Sequence, residues 1–143
     1  GTEIGVHRFR FFRAAHSETA PRHIEKLKRI AIEVCKQCGR VWLPLFETAQ
    51  HIEHAIEDLD EPLLIAVRDP NAPPLRHALS LEKTCATILV GPEGDFTTHE
   101  REQARTRGAV PVSLGATTFR SETAALVLAT LVLYELGAFD NAS

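Results

Sequence analysis

A chain of 143 residues with 44% hydrophobic content and a net charge of −3 suits a single globular domain. No apolar run approaches the ~20 residues needed to span a bilayer, and no signal peptide is visible, so we expect a cytoplasmic protein. Three cysteines, an odd number, do not suggest a disulfide framework.

The charge is unevenly distributed along the chain. Residues 1–46 carry nine Lys and Arg against four Asp and Glu, whereas the remainder is acidic. A basic end gives a modest indication of a polyanionic partner, although a solvated face on a helix at 21–38 explains it equally well. Because the chain starts without Met on a strand-like segment, we expect a fragment of a longer protein.

Short β-rich runs alternate with helical patterns along the chain. The predicted strands are residues 6–12, 41–46, 63–67, 86–90 and 110–114. The predicted helices are residues 21–38, 48–58, 98–107 and 122–136, with one helical turn within 75–81. Residues 63–67 form a continuous apolar run of the kind found in buried parallel strands. The alternation predicts an α/β fold with a mostly parallel sheet flanked by helices.

Local signals set the ends of several helices. Pro21 suits a first helical position, and Gly39 suits a helix stop. Thr97 and Glu100 form a capping-box pair, so a helix should begin near Thr98. Ser121 is expected to cap the last helix.

The last helix is apolar on every side, which is typical of a helix buried all round. A domain of this size rarely covers such a helix by itself. We therefore expect a homodimer with this helix in or near its interface.

Two loops stand where a strand is followed by a helix, at residues 88–96 and 112–124. Ligands of open α/β sheets bind beyond the carboxyl ends of the strands, so the two loops suggest one ligand site. Gly91, Gly94 and Gly115 are able to adopt positive φ and to let the backbone approach a ligand. Ordinary strand-to-helix turns are the alternative reading of each glycine.

The cysteine and histidine pairs give only weak support for a zinc site. Cys35 and Cys38 precede His51 and His54 at a spacing that resembles a zinc finger, but the histidine pair is too close and the cysteines lie in a predicted helix. A redox role is no better supported, because the pair lies at the end of a helix and not at its start. We expect no metal, with Cys38 packed inward. No Walker A, G-x-G-x-x-G or G-x-S-x-G motif is present.

The two loops resemble the paired motifs of the SPOUT methyltransferases, and more closely those of the RsmE-type 16S rRNA (uracil-N3) methyltransferases. The family pattern G-P-E-G-G stands here as residues 91–95, and L-G-x-x-I-L-R-x-E-T-A stands as residues 114–124. Residues 3–6 are similar to the family's E-L-G-V, and residues 33–40 to its E-A-x-E-Q-S-x-R. Asp95, Thr118, Phe119 and Lys36 depart from these patterns.

The resemblance implies a SPOUT-type methyltransferase domain over residues 1–143, with a C-terminal trefoil knot. It also implies that the family's N-terminal RNA-binding β-barrel domain and the first strand of the methyltransferase domain lie outside this chain. The implied cofactor is S-adenosylmethionine, and the implied partners are 16S rRNA of the small ribosomal subunit and a second copy of the chain.

The resemblance assigns site residues by matching position. Those expected to bind the cofactor are Gly91, Glu93, Gly94, Leu114, Gly115, Thr118 and Phe119. Arg120 is expected to stabilise negative charge on the uracil, and Glu122 to accept the proton or to orient Arg120 and support its helix. Gln37 and Arg40 are expected to contact RNA.

Two alternatives remain open at the level of sequence. The chain could belong to another SPOUT RNA methyltransferase with a different target base, although the match around Gln37 and Arg40 favours the RsmE type. It could also be a cofactor-binding or RNA-binding module without catalysis. A bound methyl donor with no transfer by the complete protein would favour that reading.

Overall fold

Five strands and five helices alternate along the chain in a computed structural model that describes residues 1–17, 23–79 and 82–140. The strands are β1 (Arg8–Phe12), β2 (Leu45–Ala49), β3 (Leu63–Ala66), β4 (Thr87–Leu89) and β5 (Val110–Val112). The helices are α1 (Ile24–Cys38), α2 (Ile52–Ala55), α3 (Leu75–Ala78), α4 (Thr98–Thr106) and α5 (Ser121–Glu135). The predicted helix start at Pro21 and the end of the predicted turn at Leu81 lie outside the described residues.

The strands form two parallel sheets within the described part of the chain. One contains β1 and β2, and the other has the order β4-β3-β5. Leu64 of the central strand β3 aligns with Ile88 of β4 and Val110 of β5. The predicted α/β fold with parallel strands is confirmed.

Alternation along β3 divides the apolar core between the two faces of its sheet. Leu63 and Ile65 pack with residues of α2 and α4, whereas Leu64 packs with Leu128 and Val132 of α5. Successive side chains of a strand point to opposite faces, so a strand covered by helices on both faces must be apolar throughout. This explains the continuous apolar run recognised in the sequence.

The second strand and the second helix differ from their predictions. β2 begins at Leu45, directly after Pro44, because Leu45 is the first residue of this segment to pair with β1. Thr48 and Ala49 pair with Phe11 and Phe12 and therefore belong to the strand. The prediction that they begin a helix at 48–58 is wrong. Only the four residues of α2 remain helical.

Helix α1 buries Ala31 and Cys35, and Cys38 is exposed. The prediction that Cys38 packs inward is therefore wrong. The segment that follows the helix returns along it one turn before its end, where the Cys35 thiol donates to the carbonyl of Trp42 over 3.4 Å. The predicted stop is confirmed, since Gly39 ends the helix with a φ of 74°.

Helix α5 buries Leu128, Ala129 and Val132 against the sheet and leaves other apolar residues on its outer side uncovered. Leu126 is 49% exposed, Leu131 42% and Tyr134 67%. No helix among the described residues is both long and apolar enough to cross a membrane.

Helix α4 begins with the predicted capping box. The Glu100 backbone N–H donates to the Thr97 hydroxyl over 3.1 Å, and the Thr97 N–H donates to the Glu100 carboxylate over 2.9 Å. The same buried carboxylate accepts the backbone N–H of Ala15 over 2.8 Å. Glu100 therefore ties the start of α4 to the segment that leaves β1.

Replacing Glu100 by Ala should lower the free energy of unfolding by about 2–4 kcal/mol, because two backbone N–H groups lose their acceptor. The matched control is Glu102→Ala, which removes an exposed carboxylate from the same helix and should change stability by less than about 0.5 kcal/mol. Urea denaturation followed by circular dichroism measures both. Equal losses of unfolding free energy in the two variants would contradict the stabilising role of the Glu100 hydrogen bonds.

Candidate ligand-binding site

A cleft lies at the carboxyl ends of β3, β4 and β5, where the parallel pairing brings the following loops together. It encloses about 610 Å³ of space between the two loops, a volume that includes open solvent at its mouth. Its lining residues are Ala66, Val67, Arg68, Val90, Gly91, Pro92, Asp95, Leu114, Gly115, Ala116, Thr117, Thr118, Phe119, Ser121 and Ala124.

The first loop, residues 90–97, is packed closely from behind. A Cβ at Gly91 would lie 3.1 Å from the ring of Phe96, and one at Gly94 would lie 2.9 Å from the Cβ of His16. Neither glycine has a positive φ, so the expectation of left-handed backbone there is wrong. Their missing Cβ atoms matter because the loop is held against its neighbours.

Asp95 takes the left-handed conformation in this loop, with a φ of 63°. Aspartate tolerates this region because its short side chain bonds locally. Here one carboxylate oxygen accepts the Phe96 N–H over 2.7 Å, and the other pairs with Arg101 over 2.7 Å. The residue that stands where the family motif has glycine therefore occupies a position suited to glycine and compensates with two contacts.

The second loop, residues 113–120, supplies most of the other wall. Gly115 has a φ of 100°, and the space around the position of its absent Cβ is open to 4 Å. Its N–H donates to the Ser113 hydroxyl over 3.1 Å. A side chain here would strain the backbone, so this glycine does have the predicted conformational role.

The cleft brings together five of the seven residues expected to bind the cofactor. They are Gly91, Leu114, Gly115, Thr118 and Phe119. Glu93 and Gly94 belong to the first loop but do not line the cleft. The carbonyl of Glu93 accepts from Arg68 over 3.1 Å, and the Nδ1 of His16 donates towards the carbonyl of Gly94 over 2.9 Å.

Arg120 and Glu122 lie at the start of α5, beside cleft residues Phe119 and Ser121. Both are exposed, and neither side chain forms a hydrogen bond or ion pair within the part of the chain that the structure describes. Glu122 occupies the first turn as expected, where a carboxylate is favoured by the helix dipole. The expected Ser121 cap is wrong, because Ser121 is already helical and Arg120 takes the cap position without a side-chain bond.

Gln37 and Arg40 lie on a different element, at and just beyond the end of α1, and do not line the cleft. Gln37 is exposed. Arg40 donates to the carbonyl of Glu3 over 3.1 Å and stacks on Trp42 at 4.5 Å from the ring centre. Arg40 therefore has a structural function, and its contact with RNA stays a prediction.

Arg68 is a charged residue of the cleft lining that was not predicted as a site residue. It follows directly on the buried run at 63–67, so its position after a predicted parallel strand was available as a signal. The proline-rich segment after it favoured reading Arg68 as part of an ordinary loop.

The chain is similar in sequence to known RNA methyltransferases. The family model described as an RNA methyltransferase domain matches residues 1–133. The ribosomal RNA small subunit methyltransferase E of Rickettsia conorii is 35% identical over 108 residues, which are 73% of this chain and 44% of that protein. The chain spans about half the length of the curated relatives it matches, from 44% to 58%.

Solved structures with the same fold include a probable rRNA methyltransferase from Porphyromonas gingivalis. It is 33% identical with a TM-score of 0.86, and the match covers 96% of this chain and 60% of that one. A ribosomal RNA small subunit methyltransferase E from Neisseria gonorrhoeae, bound to S-adenosyl methionine, is 26% identical with a TM-score of 0.74. That match covers 94% of this chain and 57% of the other.

Proposed function

Because the chain belongs to the RNA methyltransferase domain family, we propose that it methylates N3 of a specific uridine in 16S rRNA, in the cytoplasm, using S-adenosylmethionine. The observation that carries the proposal is the cleft itself. Its two walls are the loops whose sequences resemble the paired methyltransferase motifs, and parallel strand pairing brings them to one edge of the sheet. The names of the relatives support small-subunit rRNA as the substrate.

The residues of the cleft fit the cofactor chemically. Val90, Leu114 and Phe119 offer apolar surface for a nucleoside, while Gly91 and Gly115 line the cleft without side chains of their own. Thr118 adds a hydroxyl. Glu93 and Gly94 contribute from behind, because their carbonyls anchor the first loop to Arg68 and His16.

The bound cofactor would supply an electrophilic methyl group on a sulfonium. Arg120 would stabilise the negative charge that develops on the uracil as N3 loses its proton, in the way that preorganised cations act in other sites. Its guanidinium is exposed beside the cleft and has all its donors available in the described structure. Glu122, two residues further along the chain, would accept the proton or support the N-terminus of α5, and its place in the first turn favours the supporting role.

The RNA would extend beyond the cleft towards Gln37 and Arg40. The stacking of Arg40 on Trp42 fixes the guanidinium against an aromatic ring, which supports a defined surface at the end of α1. A trefoil knot formed around the second loop is part of the same proposal and rests on the family resemblance. The chain path in a crystal structure of the full-length protein tests it.

A groove between the two sheets supports the proposal that this chain is one domain of a longer protein. It measures about 1600 Å³ including open solvent and is bordered by β1 and β4, each of which pairs on one side only among the described strands. Ala55 of α2 and Val132 of α5 also line it. The groove therefore suits one further apolar strand parallel to both edges, and we assign it to the first strand of the family's domain, which follows an RNA-binding β-barrel domain.

Hydrogen exchange tests this assignment. The amides of β1 and β4 should be more protected in the full-length protein than in the 143-residue chain, since a strand in the groove would pair with both edges. Equal protection in the two proteins would count against it.

The uncovered side of α5 supports a homodimer. A second copy would bury the exposed Leu126, Leu131 and Tyr134, which a monomer leaves in water. Sedimentation velocity at micromolar concentration should give a dimer, and a stable monomer would contradict the proposal.

Filling the cleft at Gly115 should remove cofactor binding. Gly115→Leu should weaken S-adenosylmethionine affinity by more than about tenfold, because the new side chain enters the cleft. Gly108→Leu is the matched control, since Gly108 also has a positive φ, 88°, and open space but lies away from the cleft. Both variants should lose about 1–2 kcal/mol of stability from backbone strain. Calorimetric titration measures the affinities. The site would be contradicted if the parent, Gly115→Leu and Gly108→Leu all bound S-adenosylmethionine with the same affinity.

Replacing Arg120 by Ala in the full-length protein should lower methyl transfer to small ribosomal subunits by about 100-fold or more, in line with the removal of a transition-state donor. Cofactor affinity should change little. Arg105→Ala, an exposed arginine on α4, serves as the control and should retain transfer. Normal transfer by the Arg120 variant would overturn its assignment, and cofactor binding without any transfer by the parent would favour a non-catalytic module.

A further inference from the structure

Arg68 occupies a central place in the cleft. The Val67 N–H donates to the carbonyl of Val112 over 3.0 Å, which extends the pairing of β3 with β5 by one residue. Arg68 follows immediately, between the loops that leave β4 and β5, and its side chain is exposed to the cleft. The backbone pairing therefore fixes where this cation enters the site.

The positive charge of Arg68 is not neutralised by a carboxylate within the described residues. Its Nη2 donates over 3.1 Å to the carbonyl of Glu93, which is a neutral acceptor. Asp95 is the other charged residue in the described lining, and its carboxylate is engaged by Arg101 and the Phe96 N–H. A guanidinium has five N–H donors, so Arg68 keeps donors free for an anionic ligand group.

We propose that Arg68 binds the carboxylate of the amino-acid portion of S-adenosylmethionine and, through the Glu93 carbonyl, holds the first loop in place around it. This inference rests on the proposed function. The carboxylate is the only anionic group of that ligand, and a guanidinium pairs with it bidentately through charge-assisted hydrogen bonds. Arg68 is thus a specificity-determining residue, since it favours ligands that retain the carboxylate.

A purely structural function for Arg68 makes a different prediction. If Arg68 only anchored the loop at Glu93, its replacement would lower the affinity for every ligand of the cleft to the same extent. If it binds the carboxylate, the loss is confined to ligands that carry this group. S-adenosylmethionine and decarboxylated S-adenosylmethionine differ by that group alone, so they separate the two functions.

The test is calorimetric titration of the 143-residue chain and its Arg68→Gln variant with both ligands. Gln keeps an amide donor for the Glu93 carbonyl and removes the charge. We expect S-adenosylmethionine affinity to fall about tenfold to hundredfold, the range for hydrogen bonds to charged groups, and affinity for the decarboxylated ligand to change less than about threefold. Arg76→Gln, an exposed arginine of α3 outside the cleft lining, should change neither affinity.

A smaller fraction of folded protein would lower both affinities equally, so the ratio of the two affinities within one variant is unaffected by it. Arg68→Lys, which keeps the positive charge, should retain part of the preference for the carboxylate. If Arg68→Gln lowers the affinity for both ligands equally, or lowers neither affinity, the inference is overturned while the cofactor site remains intact. A parent chain that binds neither ligand would instead overturn the proposed cofactor site, so the two failures are distinguishable.

Discussion

The parallel pairing of β3 with both of its neighbours is the constraint on which the rest of the structure depends. Because β4, β3 and β5 run in the same direction, their carboxyl ends lie at one edge, and the loops at 90–97 and 113–120 must meet there. Because the central strand is then covered on both faces, Leu63, Leu64 and Ile65 are all apolar and nearly inaccessible to water. The cleft is therefore a consequence of the sheet.

Polar contacts from the segment after β1 hold the first loop in position. His16 bonds to the carbonyls of Gly94 and Asp95, and Ala15 donates to the buried carboxylate of Glu100. The rings of Phe12 and Phe96 stack in the same region, 6.3 Å apart. These contacts join the β1–β2 sheet to the wall of the cleft, so the first loop is supported by residues about 80 positions earlier in the chain.

The charges in the cleft follow from the same arrangement. Asp95 compensates its left-handed backbone by bonding to Phe96 and Arg101, which removes its carboxylate from competition for a cation. Arg68 is then the charged group of the described lining that remains available to a ligand. Arg68 would attract an anionic group of a ligand to the middle of the cleft, between the two loops, while the apolar residues of the second loop would offer surface for a nucleoside.

Features encoded by neighbouring residues were predictable from the sequence. The apolar run at 63–67, the capping box of Thr97 and Glu100, and the positive φ of Gly115 follow from local patterns, and all three are present. The motif resemblance also predicted five residues of the cleft lining.

Features that depend on contacts distant in sequence were not predictable. The position of β2 is set by pairing with β1, some 37 residues earlier, and this pairing shortened α2. The burial of Cys35 and the exposure of Cys38 depend on where the segment through Trp42 returns along α1. Arg68 resembled a loop charge because its partner, the carbonyl of Glu93, lies 25 residues away.

The most direct test of the cofactor site is an NMR titration of the isotope-labelled chain with S-adenosylhomocysteine, the product form of the methyl donor. Saturable shift changes concentrated in the amides of residues 66–68, 90–95 and 113–119 are the predicted result. Changes concentrated instead along the end of α1 or in the groove between β1 and β4, with the two loops unaffected, would contradict the cleft as the cofactor site.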